Sequence, residues 1–172
     1  MTKRSKDEPA ATVASSACSM HEADDAYMGY AGQDELIAFL DMLVEAERAG
    51  ARVTRDTALA AGEDAVADLM RRIERDEAHW CAMLFGHVKA LGAAPSSKVG
   101  AFYDKAMAIA DLGERIVFLN RGQDWVVRKL REMLPRVRDD QLHADLSAML
   151  QAHEANIALA DEFVAGREDS SR

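Results

Sequence analysis

From Asp34 to Ala165 the apolar residues recur at helical rather than strand spacing, and the breaks between runs fall where helices stop. Leu36, Leu40, Leu43, Gly50/Ala51, Thr54 and Ala58 mark the inner stripe of a first long helix over about 34–60, closed by Gly62. The acids of EDAVADL open a second helix, where carboxylates suit the positive end of the helix dipole, and Gly92 ends it. Its stripe reads Val66, Leu69, Ile73, Trp80, Leu84, Val88 and Leu91. GAAPSSKVG, residues 92–100, is the one long break, and a short helical piece over about 102–110 follows. Asp111-x-x-Glu114 has the form of a capping pattern and opens a third long helix, which Pro135 stops near Leu134. Asp139 or Asp140 caps a fourth, which runs to about Ala165 before Gly166 and a polar tail.

Long helices of similar length with short turns after the first and third make a four-helix bundle. The central connector selects its topology. Nine extended residues reach roughly 30 Å, and the short helix adds to that span. A connector of this reach predicts an all-α, up-down-down-up bundle with a long central crossover, occupying residues 33–165. Residues 1–32 and 166–172 are predicted to be disordered tails. MTKRSKDEPAATVASSACSM is rich in Ala, Ser and charge, and such a segment buries too little to offset its ordering entropy.

Each long helix interrupts its own stripe with a polar residue. In the first, the inner position between Leu43 and Gly50 is Glu47; in the second, Asp76 or Glu77 falls where another Leu belongs, and Glu77 fits the seam better. Glu47 lies fifteen positions before Gly62 and Glu77 fifteen after it. In an antiparallel hairpin both therefore sit about 22 Å from the turn, at one height on facing surfaces. The fourth helix reads Leu142, Leu146, Met149/Leu150, His153, Ile157, Ala160, Val164, so His153 breaks its stripe, with Glu154 one position round. On the third, the inner face is expected to carry Val117, Asn120, Gln123, Val127 and Leu130. Four polar breaches at matched depth point to a site.

Composition narrows the classes. Hydrophobic residues are 49% and charged residues 30% of 172, ordinary for a globular domain. A formal charge of −9 and a pI near 5.0 argue against nucleic acid or an anionic membrane surface as partner. No apolar run approaches the roughly 18 residues of a membrane span. Two cysteines, Cys18 and Cys81, form no disulfide framework and suit a reducing, cytoplasmic compartment. The acidic HEADD run at 21–25 reads as solvated. No phosphate loop, nucleophile elbow or Cys/His zinc pattern is present.

Over residues 34–165 the chain resembles the ferritin-like superfamily. EAERAGAR, residues 45–52, is similar to that family's first-helix carboxylate motif, and DEAHW, residues 76–80, to its second-helix segment. The resemblance implies a bundle holding two iron or manganese ions, with a Glu from each of two helices and Glu-x-x-His from each of the others. Carried onto this chain, the metal ligands are Glu47, Glu77, Glu154 and His153, with Asp76, His79, Asn120 and Gln123 around them. The chain departs from the pattern at several points. Trp80 and Ile157 follow Glu77 and Glu154 where His belongs, and the third helix offers Asn120 and Gln123 instead of Glu. The favoured reading is therefore a bacterial branch whose metal site has decayed to a polar core, acting in a structural or protein-interaction role. The alternative is a carboxylate-bridged di-iron or di-manganese protein with oxidase, peroxidase or iron-handling activity. His79, His87 and His143 read as surface residues, and His153 as a core histidine beside a carboxylate. Phe118 and Trp125, near Arg121 and Arg128, give the third helix more apolar surface than one seam needs. That surplus fits a homodimer interface or packing under the 92–110 connector.

Overall fold

A computed structural model describes residues 27–62 and 64–170, with side chains to residue 167. Cys18 and the HEADD run lie outside the described residues. Among those residues the regular structure is all helical, without strands. Helix α1 spans Gln33–Ala61, α2 Ala65–Ala90, the short α3 Phe102–Met107, α4 Leu112–Met133 and α5 Asp140–Ser170, with a 3₁₀ turn at Leu134–Arg136. The caps follow from the sequence. Asp64 Oδ1 accepts from the amides of Val66 and Ala67, Asp111 from Glu114, and Asp139 from Leu142. Gly62 and Gly92 sit at φ of 77° and 81°, which a residue with a Cβ rarely adopts.

Hydrogen bonds between helix ends set the topology. At one end, Gln33 Nε2 donates to the carbonyl of Leu91 (2.8 Å), and the Ala31 amide to that of Arg136 (2.9 Å). Arg136 also pairs with Glu35 through both nitrogens. The start of α1 therefore meets the ends of both α2 and α4, so α2 and α4 run the same way and α1 and α5 run back. At the other end, Arg115 near the start of α4 reaches Thr57 Oγ1 near the end of α1 (3.4 Å). The connector therefore runs from the end where α2 stops to the end where α4 begins.

Two boundaries move. Ala31 is buried and tethered, so the packed unit begins before residue 33. Helix α5 continues to Ser170 rather than ending at Ala165, because Gly166 does not adopt a positive φ and the backbone ladder simply carries on. On α4, Val117 is exposed, while Ile116 and Leu119 are buried in its place. That helix packs on α5 and lies under α3, which rotates and widens its buried face.

The connector covers the Phe118 part of the α4 apolar surface. Phe102 stacks on Phe118 with centroids 5.0 Å apart. It also lies against Gly122, where a Cβ would come within 2.6 Å of its ring. Asp41 accepts from the Ser96 amide (2.7 Å) and Glu45 from the Ser96 hydroxyl (2.5 Å). Arg48 donates to the carbonyls of Ser96 and Lys98. The strap is thus latched to α1 and packed on α4. No helix is long and apolar enough to cross a membrane among the described residues.

Candidate functional site

The buried apolar side chains form two clusters rather than one. Toward the α2 C-terminus lie Leu40, Leu43, Val44, Leu84, Val88, Leu130, Leu146 and Met149; toward the opposite end lie Val53, Val66, Met70, Ile73, Ile116, Leu119 and Ala160. The polar layer between them contains Glu47 (0% exposed), Glu77 (4%), Gln123 (3%) and His153 (1%). One ligand atom from each of Glu47, Glu77 and His153 lies within 4.8 Å of the others. The matched depth inferred from the two hairpins is therefore real in three dimensions for these residues.

The local sequence makes the approach possible. Gly50 is one turn beyond Glu47 on α1, and a Cβ there would come within 2.7 Å of the Glu77 Cδ. Only a glycine lets the α2 carboxylate lie flat against α1. His153 is oriented by its own helix, because Nδ1 is 3.1 Å from the Met149 carbonyl, which can only accept. The proton of the neutral ring therefore sits on Nδ1, and the Nε2 lone pair faces Glu47 Oε1 at 3.2 Å. Neither Glu47 oxygen and not His153 Nε2 has a well-formed hydrogen bond.

Electrostatics follow from that isolation. Burial first, and the Glu47 charge second, push the Glu77 carboxyl well above its ordinary range. Burial is the largest influence on His153 and lowers its pKa; the Glu47 charge and hydrogen bond, with the Met149 carbonyl and the Asp76 charge, together leave the imidazole raised. Besides His153, no basic side chain among the described residues compensates the two carboxylates. Arg48 is turned outward to the strap and over the Phe85 ring, and Arg52 is exposed. Asn120 spends its amide on the Ile157 carbonyl and Asp161 Oδ1.

Not every expected residue joins the cluster. Glu154 is exposed and pairs with Arg131 (2.6 Å), because one position beyond His153 turns 100° away from the core on an α-helix. It is not placed to be a ligand. His79 is also exposed, edge-on to Trp80. Asp76 is half-buried at the flank and accepts from Asn156 Nδ2 (3.0 Å). Buried Asn156 was missed by the sequence reading, which gave its place to Ile157; its position three beyond His153 was the available signal. Gln123 does face the cluster, and neither atom of its carboxamide has a partner.

Glu47, Glu77, His153 and Gln123 line a cleft of about 490 Å³ between α1, α4 and the strap. Apart from them its walls are mainly apolar. Over residues 34–162 the chain matches the model of a domain of unknown function, DUF6306. The chain belongs to the DUF6306 family. No curated protein and no solved structure matches it. The DUF6306 match runs from the first turn of α1 into the last turns of α5, so it takes in all three clustered residues.

Proposed function

We propose that this DUF6306 chain is a ferritin-like crossover bundle that holds one divalent transition-metal ion on Glu47, Glu77 and His153. The supporting observation is the set of buried atoms without a well-formed hydrogen bond, both Glu47 oxygens and His153 Nε2, toward which no Lys or Arg among the described residues is turned. Desolvated carboxylates are costly unless protonated, paired or metal-bound. Two carboxylates and an imidazole suit iron(II) or manganese(II). A dinuclear centre would need more carboxylates than this layer contains, since Glu154 is outside it and Gln123 is neutral. A bound iron or manganese ion would supply redox chemistry of the oxidase, peroxidase or iron-handling kind. The chain's own residues would fix the ion: Met149 holds the His153 tautomer, and Gly50 makes room for Glu77. A cytoplasmic location belongs to the same proposal and rests on the cysteine usage.

One observation favours a second reading, a metal-free polar core with a structural or protein-interaction role. The Glu47–His153 pair at 3.2 Å, beside a Glu77 carboxyl held toward its protonated form, needs no metal to balance it.

Anaerobic titration of chelator-stripped protein with Mn(II) and with Fe(II), followed by desalting and elemental analysis, separates the readings. Near one ion per chain is expected, lost in Glu47→Leu. Saturation at a hundred times Kd should stabilise the fold by about 2.7 kcal/mol. No retained metal, together with an unchanged or raised stability of Glu47→Leu, would establish the metal-free core. Near two ions per chain would overturn the single-ion stoichiometry.

A further inference from the structure

The cleft above the polar layer has features that holding a cation does not require. Its volume, about 490 Å³, lies within the roughly 300–1,000 Å³ usual for small-molecule sites. Met42, Phe102, Phe118, Leu119 and Trp125 give it apolar walls. Gln123, 3% exposed, turns a carboxamide with two unpartnered polar atoms into it. At the rim stand Arg121 and Arg128, one heptad apart on the α4 face that also carries Trp125. Both are exposed and make no ion pair or hydrogen bond among the described residues, although the chain carries a net charge of −9. The rim's acid, Glu45, is already engaged by the Ser96 hydroxyl. Unpaired guanidiniums over an apolar slot with a buried amide at depth are complementary to one kind of small molecule.

We propose that the cleft binds a small monocarboxylate with an apolar body. Its carboxylate is held at Arg121 and Arg128, its body lies between Phe102, Phe118 and Trp125, and its far end reaches Gln123 beside the Glu47–Glu77–His153 layer. The site is the same cleft as in the metal reading, but occupancy needs no metal: the recognising groups are two arginines, an amide and the apolar walls. If the metal reading holds as well, the layer faces the ligand's far end.

The test is isothermal titration calorimetry on the chelator-stripped full chain with decanoate and decyltrimethylammonium, each below its micelle concentration, and decanol below its solubility limit. Decanoate should bind at one per chain, decanol at least tenfold more weakly, and the cationic amphiphile not at all. Arg121→Glu/Arg128→Glu should weaken decanoate at least tenfold with an unchanged thermal midpoint. Ala46→Phe, which fills the cleft from a half-buried position on α1, should abolish binding. No decanoate binding by cooperatively folding protein, equal binding of the cationic amphiphile, or indifference to the arginine reversal would each overturn the proposal. Mn(II) titration of the same samples separates the two ideas. Decanoate binding without Mn(II) binding would end the metal reading alone, and the reverse would end this one alone.

Discussion

Replacing Gly50 with alanine separates metal binding from folding better than deleting a ligand does. The new methyl carbon would be built 2.7 Å from the Glu77 Cδ, where ordinary contact begins at 3.4 Å. Something must move, and the Glu77 carboxylate, at the end of a flexible side chain bordering the cleft, is the group that can. Its retreat is several times the roughly 0.2 Å tolerance of a metal–ligand distance. Folding is affected far less. Alanine gains about 1 kcal/mol of helix propensity over glycine, while over-packing costs typically 1–3 kcal/mol before relaxation. These oppose each other, so stability of the metal-free variant should stay within about 1–2 kcal/mol of the parent. Loss of one of three ligands should weaken Mn(II) at least as much as the 10–100-fold seen on disturbing outer supporting groups. Urea unfolding of stripped protein and Mn(II) calorimetry on the same samples give both numbers. An unchanged Kd would refute the placement of Glu77 as a ligand, and a collapse of the fold would refute the claim that the carboxylate can yield.

Glu77 and His153 together set a pH signature. Both are raised above ordinary values of 4.5 and 6.5, so both bind a proton more tightly folded than unfolded, and the stability they contribute is present below those values and lost as pH rises beyond them. Metal-free protein should therefore lose stability as pH rises above the ordinary carboxyl value of 4.5 and on past the ordinary imidazole value of 6.5, whereas Mn(II) affinity should rise in the same direction as the ion displaces those protons; parallel melting curves and titrations check both slopes. The lowered carboxylates Glu35, Asp56 and Asp145 act with the opposite sign, in more acidic solution, and leave that window clear. Gly122→Leu should drive Phe102 off α4 and cost about 1–3 kcal/mol, partly recovered in the double variant with Phe102→Ala, and additive losses would show that the two do not touch. Arg48→Ala should raise amide exchange across residues 93–101 while the melting midpoint barely shifts, because the latch is a pair of partly exposed hydrogen bonds rather than core packing.

The helices, their caps and the two polar breaches facing each other across the first hairpin were legible in the sequence, because apolar spacing, capping carboxylates and glycines act over a few residues. Glu47 and Glu77 could be matched in height by counting from Gly62, since a short turn leaves an antiparallel hairpin little freedom of register. The connector's reach is compatible with the contacts of Gln33, Ala31 and Arg136, which join the start of α1 to the ends of α2 and α4. What counting could not supply was rotation about each helix axis. A 100° step per residue decides that His153 points inward and Glu154 outward to Arg131, and that Asn156 rather than Ile157 is buried. Those rotations are settled by how four helices and a strap fill one volume. Phe102 settles against Gly122, Arg48 leaves Glu47 for the strap, and Gly50 admits Glu77; each is a contact between residues distant along the chain. The sequence determined that four polar groups would meet at one depth, and packing decided which of them share a site.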